Sequence, residues 1–130
     1  MKVATVLDYL KMDSELVEML KHKKEHPKIT SYKAFNKDTY PYIIVTLNPF
    51  NLSILTGQYR CEVRIVTDDE LLVEDLTSKV NSLLHFGNKP GFKLNNQTLL
   101  HSSFAGNGFL FDEEKHLFEQ VLIYTMTFKQ

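Results

Sequence analysis

The densest concentration of side chains able to do chemistry is Asp68-Asp69-Glu70. It follows directly on an alternating stretch, Tyr59-Arg60-Cys61-Glu62-Val63-Arg64-Ile65-Val66-Thr67. Carboxylates at the end of a strand are what a Mg²⁺-dependent nuclease needs, because a hard cation takes oxygen ligands and activates water. The same residues also open a helix. Thr67 and Glu70 match a capping box, and acids suit the positive end of a helix dipole, so capping accounts for them without a metal. Five histidines invite a zinc reading. His22 and His26 would share a helix face, but the intervening Lys23 and Lys24 repel a divalent cation and Pro27 ends the helix. His85, His101 and His116 are scattered along the chain. Gly106-Asn107-Gly108 lacks the later glycine of a phosphate loop, and Ser102-Ser103 lacks the glycines of a nucleophile elbow. None of these patterns specifies an active site. The chain reads as a non-enzyme, with no catalytic residue, no cofactor and no metal.

The elements that carry these residues follow from periodicity. Val3, Val6, Leu7 and Leu10 have the spacing of a helix with one buried stripe. Met12-Asp13-Ser14 interrupts it, and Asp13 or Ser14 can cap a fresh turn in which Leu16, Val17 and Leu20 restart the stripe. The basic run Lys21-His22-Lys23-Lys24 suits the negative end of that broken helix. Ile29 to Phe35 is expected to form a strand, and Tyr42 to Leu47, rich in β-branched residues after Pro41, a second. Asn48-Pro49-Phe50-Asn51 is expected to break it and to begin a long connection to Gln58. Tyr59–Thr67 alternates cleanly, with Tyr59, Cys61, Val63 and Ile65 on one face. Its charged face, Arg60, Glu62 and Arg64, meets solvent or a neighbouring copy. A helix from Asp69 to Leu84 presents Leu72, Leu76, Val80 and Leu83 to the sheet. Gly87–Asn96 reads as a loop, Thr98–Phe104 as a strand and Leu117–Phe128 as a closing strand, apolar on both faces and so central or covered. The expected fold is α+β: a single, mostly antiparallel sheet of four to five strands, an N-terminal broken helix and a second helix packed on one face.

At 130 residues the chain is expected to be a single domain spanning 1–130. A net charge of −1 with acids and bases interspersed gives no electrostatic footprint for nucleic acid or an anionic membrane. No apolar run reaches the roughly 20 residues a membrane span needs, and Lys2, Asp8 and Lys11 interrupt any signal-peptide core. Cys61 is alone, so no intrachain disulfide forms, which fits a reducing cytosol. Six Tyr and nine Phe exceed what so small a core needs. Phe50, Phe86, Phe92, Phe104, Phe109 and Phe111 fall in or beside expected loops, where aromatics bury much area at low entropic cost in an interface. Phe50, Phe92, Phe109 and Phe111 are the candidate protein-interface residues; packing beneath the loops is the competing explanation.

The order of elements adds a resemblance. The break at Asp13, Pro41-Tyr42-Ile43-Ile44-Val45, the Tyr59–Thr67 strand leading into the Leu72/Leu76/Val80 helix and the aromatic strand Phe118–Phe128 are carried in that sequence over nearly the whole chain. In this the chain resembles the tail-completion proteins of long-tailed phages and prophages, the tail terminators and head–tail joining proteins. The resemblance implies a structural protein that forms a ring, typically a hexamer, at the head-proximal end of the tail. There it would terminate tail-tube polymerisation, join the tail to the head connector, or both. It implies contacts with copies of itself, with the tail-tube protein and with head connector proteins, in the host bacterial cytoplasm during assembly and then in the virion. Contacts are expected from Asn48–Gln58, Gly87–Asn96 and Gly106–Glu114. The alternatives are a small α+β ligand-binding or protein-interaction module and, disfavoured by the near-neutral charge, a nuclease built on Asp68, Asp69 and Glu70.

Overall fold

The structure, a computed structural model, describes residues 2–130. Two short helices open it, α1 (Lys2–Lys11) and α2 (Ser14–Leu20). Asp13 separates them: its carboxylate accepts the Leu16 amide at 2.9 Å and supplies the N-cap of α2. The helix ends at Lys21, whose left-handed φ of 56° turns its N–H back to the Val17 and Glu18 carbonyls. After β1 (Ile29–Ser31), β2 (Tyr42–Leu52) and β3 (Thr56–Thr67) form a hairpin. The helix α3 (Glu70–Leu84) follows, then β4 (Phe92–Leu94), β5 (Gln97–Asp112) and β6 (Leu117–Lys129).

The six strands run in the order β1-β2-β3-β6-β5-β4, in a sheet that curls into a half-barrel. The α+β class is as expected, but the count is not. Two three-residue strands, β1 and β4, extend the sheet at its edges, and β1 lies parallel to β2. Sequence reasoning drew Ile29–Phe35 too long and read β4 as loop. Three residues hold too little pattern to signal a strand, and the β4–β5 turn is built on Asn95 and Asn96, both with positive φ, rather than on glycine.

The helices cover one face of the sheet. Val3, Val6, Leu10, Leu16 and Leu20 meet Val73, Leu76, Val80 and Leu84 of α3 over a floor that includes Ile43, Val45, Val63, Ile65 and Leu122. Full burial of each such side chain contributes about 1.5–3 kcal/mol. Tyr124, fully buried on the central strand, keeps its hydroxyl satisfied by donating to Asn81 Oδ1 at 2.9 Å. The stripe on α3 runs one residue later than expected at both ends, with Val73 and Leu84 buried while Leu72 and Leu83 pack at the margin. The cap is likewise displaced. Asp69, not Thr67, accepts the Leu71 and Leu72 amides, while the buried Thr67 ends β3 and accepts the Asp69 amide at 3.2 Å. On the uncovered face, Arg64 pairs with Glu119 across β3 and β6, beside the buried Ile44 and Val66.

Candidate functional site

Several of the residues with catalytic potential help to hold the fold, while Asp68 and Glu70 stand exposed beside Asp69. Asp69 caps α3, as above. His22 Nδ1 accepts the Lys28 amide at 2.9 Å, and burial, then Lys11, push its imidazole below the ordinary range. His85 Nδ1 accepts the Phe104 amide at 3.1 Å. The Cys61 thiol is buried and pushed up to about 12, chiefly by desolvation. Among the described residues, no group of three or more His, Cys, Asp or Glu side chains is placed to hold a metal.

What the fold presents instead are apolar hairpin ends. In the β2–β3 hairpin, pairing continues past Pro49 through a bulge to Leu52 opposite Gly57, so the stretch read as a break and connection is strand. Proline is tolerated there because β1 covers only Ile43–Val45, so the outward edge of β2 at Pro49 has no ladder bond to lose. Ser53 closes the turn, accepting the Thr56 amide through Oγ at 3.2 Å and donating its own N–H to the Thr56 carbonyl at 2.8 Å. Ile54 and Leu55, 93% and 76% exposed, stand at its centre, where Gly, Asn or Asp is usual. Phe50 and Leu52 lie exposed just below them.

The second end is the β5–β6 hairpin. Gly106-Asn107-Gly108, outside both expected strands, is strand here because Ile123, Leu122 and Val121 supply its partners, after a bulge between Phe104 and Gly106. Phe109 lies opposite Gln120 and Phe111 opposite Phe118, on the helix-bearing face. Phe118 packs on both rings, with centroids 6.1 and 4.8 Å away. Phe109 remains 53% exposed and Phe111 41%. Asp112 closes the turn by accepting the Glu114 and Lys115 amides. The two hairpins point in opposite directions. Thr56 pairs with Lys129 and Thr67 with Phe118, so the tips sit at opposite ends of a twelve-residue strand, roughly 36 Å apart at 3.3 Å per residue. The total exposed surface is 7666 Å², against roughly 7,000 Å² for a chain of this mass.

The four aromatics singled out by sequence thus part company. Phe109 and Phe111 belong to one cluster and Phe50 to the opposite end of the sheet. Phe92 is half-buried, stacked on Tyr9 with ring centroids 4.4 Å apart, against the buried Phe86. Sequence reasoning named Asn48–Gln58 and Gly106–Glu114 as contact segments but singled out none of Leu52, Ile54, Leu55 and Leu110 within them, all exposed. The signal was there: aliphatic side chains at the centre of a tight turn.

Comparison with solved structures finds the fold elsewhere. A chain from the virion of a native gene transfer agent particle superposes with a TM-score of 0.73 over 96% of this chain and 92% of that one, at 11% identity. A second solved chain, without a functional description, matches with a TM-score of 0.56 over 92% and 96%, at 10% identity. No family model matches the chain, and no curated protein matches it. At these identities the likeness is one of fold.

Proposed function

We propose that this chain is a structural virion subunit that forms a ring at the head-proximal end of a phage tail. It there stops tail-tube polymerisation, joins tail to head connector, or both. The observation that carries the reading is the fold shared over nearly the full length of both chains with a component of a gene transfer agent virion. Two features support it. The apolar ends of the β2–β3 and β5–β6 hairpins face opposite ways, as heterologous contacts around a ring require. The outer edge of β5 from Ala105 to Asp112 pairs with no other strand and carries no Lys, Arg or Pro to discourage another backbone. The protein works without catalysis, by burying these ends against its own copies and against tail-tube and connector proteins. Phe50, Phe109 and Phe111 contribute directly, and Phe92 by fixing β4 on Tyr9.

The test is light scattering across a concentration series, with negative-stain images of the largest species, alone and with tail-tube protein. Closed rings of about six subunits, roughly 90 kDa, are expected. A strict monomer under both conditions would overturn the reading in favour of a small binding module.

A further inference from the structure

The chain concentrates basic side chains along one edge of the sheet. From Lys21 to Asp38 it carries Lys21, Lys23, Lys24, Lys28, Lys33 and Lys37 against Glu25 and Asp38, along the β1 edge. Lys28 in that run is only 8% exposed. Its ammonium donates to the Thr39 carbonyl at 3.0 Å, and among the described residues no carboxylate lies within ion-pair distance of it. Burial, then Lys21, push its pKa below the ordinary lysine value. A buried cation with one neutral acceptor is short of a counter-charge. Beside it opens a cavity of about 60 Å³, walled by Phe35 and Tyr42 and rimmed by His26, Asn36 and Thr39. That is several times the roughly 10–15 Å³ one water occupies on the same measure, and far below a drug-sized site. It has room for one small anionic group.

The complementary group lies further across the sheet, beyond β2 and β3. At the β5–β6 turn, Asp112 is spent on the backbone, but Glu113 and Glu114 are exposed and make no ion pair among the described residues. Lys115 and His116 complete the turn, and Phe111 packs on His116 and Phe118 behind it. Strands β2 and β3 lie between this hairpin and β1, and Tyr42 of the cavity pairs with Val66, itself opposite Glu119, so tip and cavity sit at the same end of one sheet but towards opposite edges, too far apart across the strands to meet within one chain. The match is therefore satisfied between copies, tip of one to cavity of the next, which is a heterologous contact. We propose that the hairpin tip of one subunit delivers the Glu113 or Glu114 carboxylate into the Lys28 cavity of its neighbour. This rests on the ring reading and names the contact that would close the ring.

Disulfide trapping between two single variants tests it, because the buried Cys61 does not compete. Glu113→Cys is mixed with Asn36→Cys, a substitution on the exposed cavity rim, under mild oxidation. A heterodimer is expected at about ten times or more the yield with Ser82→Cys, on the exposed face of α3, in place of Asn36→Cys, the scale of coupling between close interfacial charges. It should fall as salt approaches about 1 M, where the Debye length is roughly 3 Å. It should also fall when Lys28→Met is added to the Asn36→Cys protein. Replacing an unpaired buried cation by an apolar side chain favours the fold, so that variant remains interpretable. A yield no higher than the Ser82→Cys control overturns the contact. Rings seen in that case would close through another surface and leave the functional reading standing. Specific trapping without rings would keep the contact and remove the ring.

Discussion

Cys61 faces the helices from the middle of β3, opposite Tyr124 on β6, and its raised thiol pKa comes first from burial. The folded protein should resist a thiol reagent at pH 8 and label only as fast as it opens; prompt labelling without denaturant would contradict its placement. Ser102 is the converse case. Its buried hydroxyl has no hydrogen-bond partner among the described residues. Ser102→Ala should therefore be neutral or stabilising by up to about 1 kcal/mol in a urea titration, and a loss of that size would reveal a partner. His22 gives the fold a pH dependence. Its folded imidazole is held low by burial and Lys11, so the unfolded chain binds a proton that the folded chain refuses. Stability from this residue is complete above about pH 6.5 and declines as pH falls from there through the lowered folded value. His22→Asn, whose side-chain oxygen can accept the Lys28 amide without titrating, should flatten the melting temperature across that window.

Helix boundaries test the reading of elements. Asp13→Ala removes the α2 cap and should cost about 1 kcal/mol by chemical denaturation. It also removes one of the two carboxylates, with Glu15, that hold Lys79 of α3. Asp13 was legible because a polar pair interrupts a helical stripe that then resumes. Asp69 was misread as the neighbour of a Thr67 cap because local pattern does not reveal that Thr67 is still pairing with Phe118. The same blindness to partners explains Asn48–Asn51 and Gly106–Gly108. Both look like breaks along the chain, and both are strand because another strand lies alongside. The core faces of β3, α3 and β6 were legible because alternation or helical spacing is sustained there over many residues. The candidate interface was half legible. Phe109, Phe111 and Phe50 stand out by type, but only the turn geometry shows that Ile54 and Leu55 lead the opposite end.

For the whole molecule, the two apolar ends make a separable prediction. Ile54→Asp with Leu55→Asp should leave stability within about 0.5 kcal/mol, because neither side chain is buried. The same pair should abolish rings in negative-stain images; intact rings would take the β2–β3 tip out of the interface. A different consequence follows from the sheet order. The strand made last, β6, is the one at the centre, paired with β3 on one side and β5 on the other. While the chain is still on the ribosome, β3 therefore waits for its partner through the synthesis of about 60 further residues, several seconds at roughly 5–20 residues per second. Throughout that interval the nascent chain exposes the inner edge of β3 and the Cys61, Val63 and Ile65 face that β6 will later help to seal. The sheet can close only once β6 has emerged, and a chain stalled before Leu117 would be a ready substrate for aggregation or for a holding chaperone.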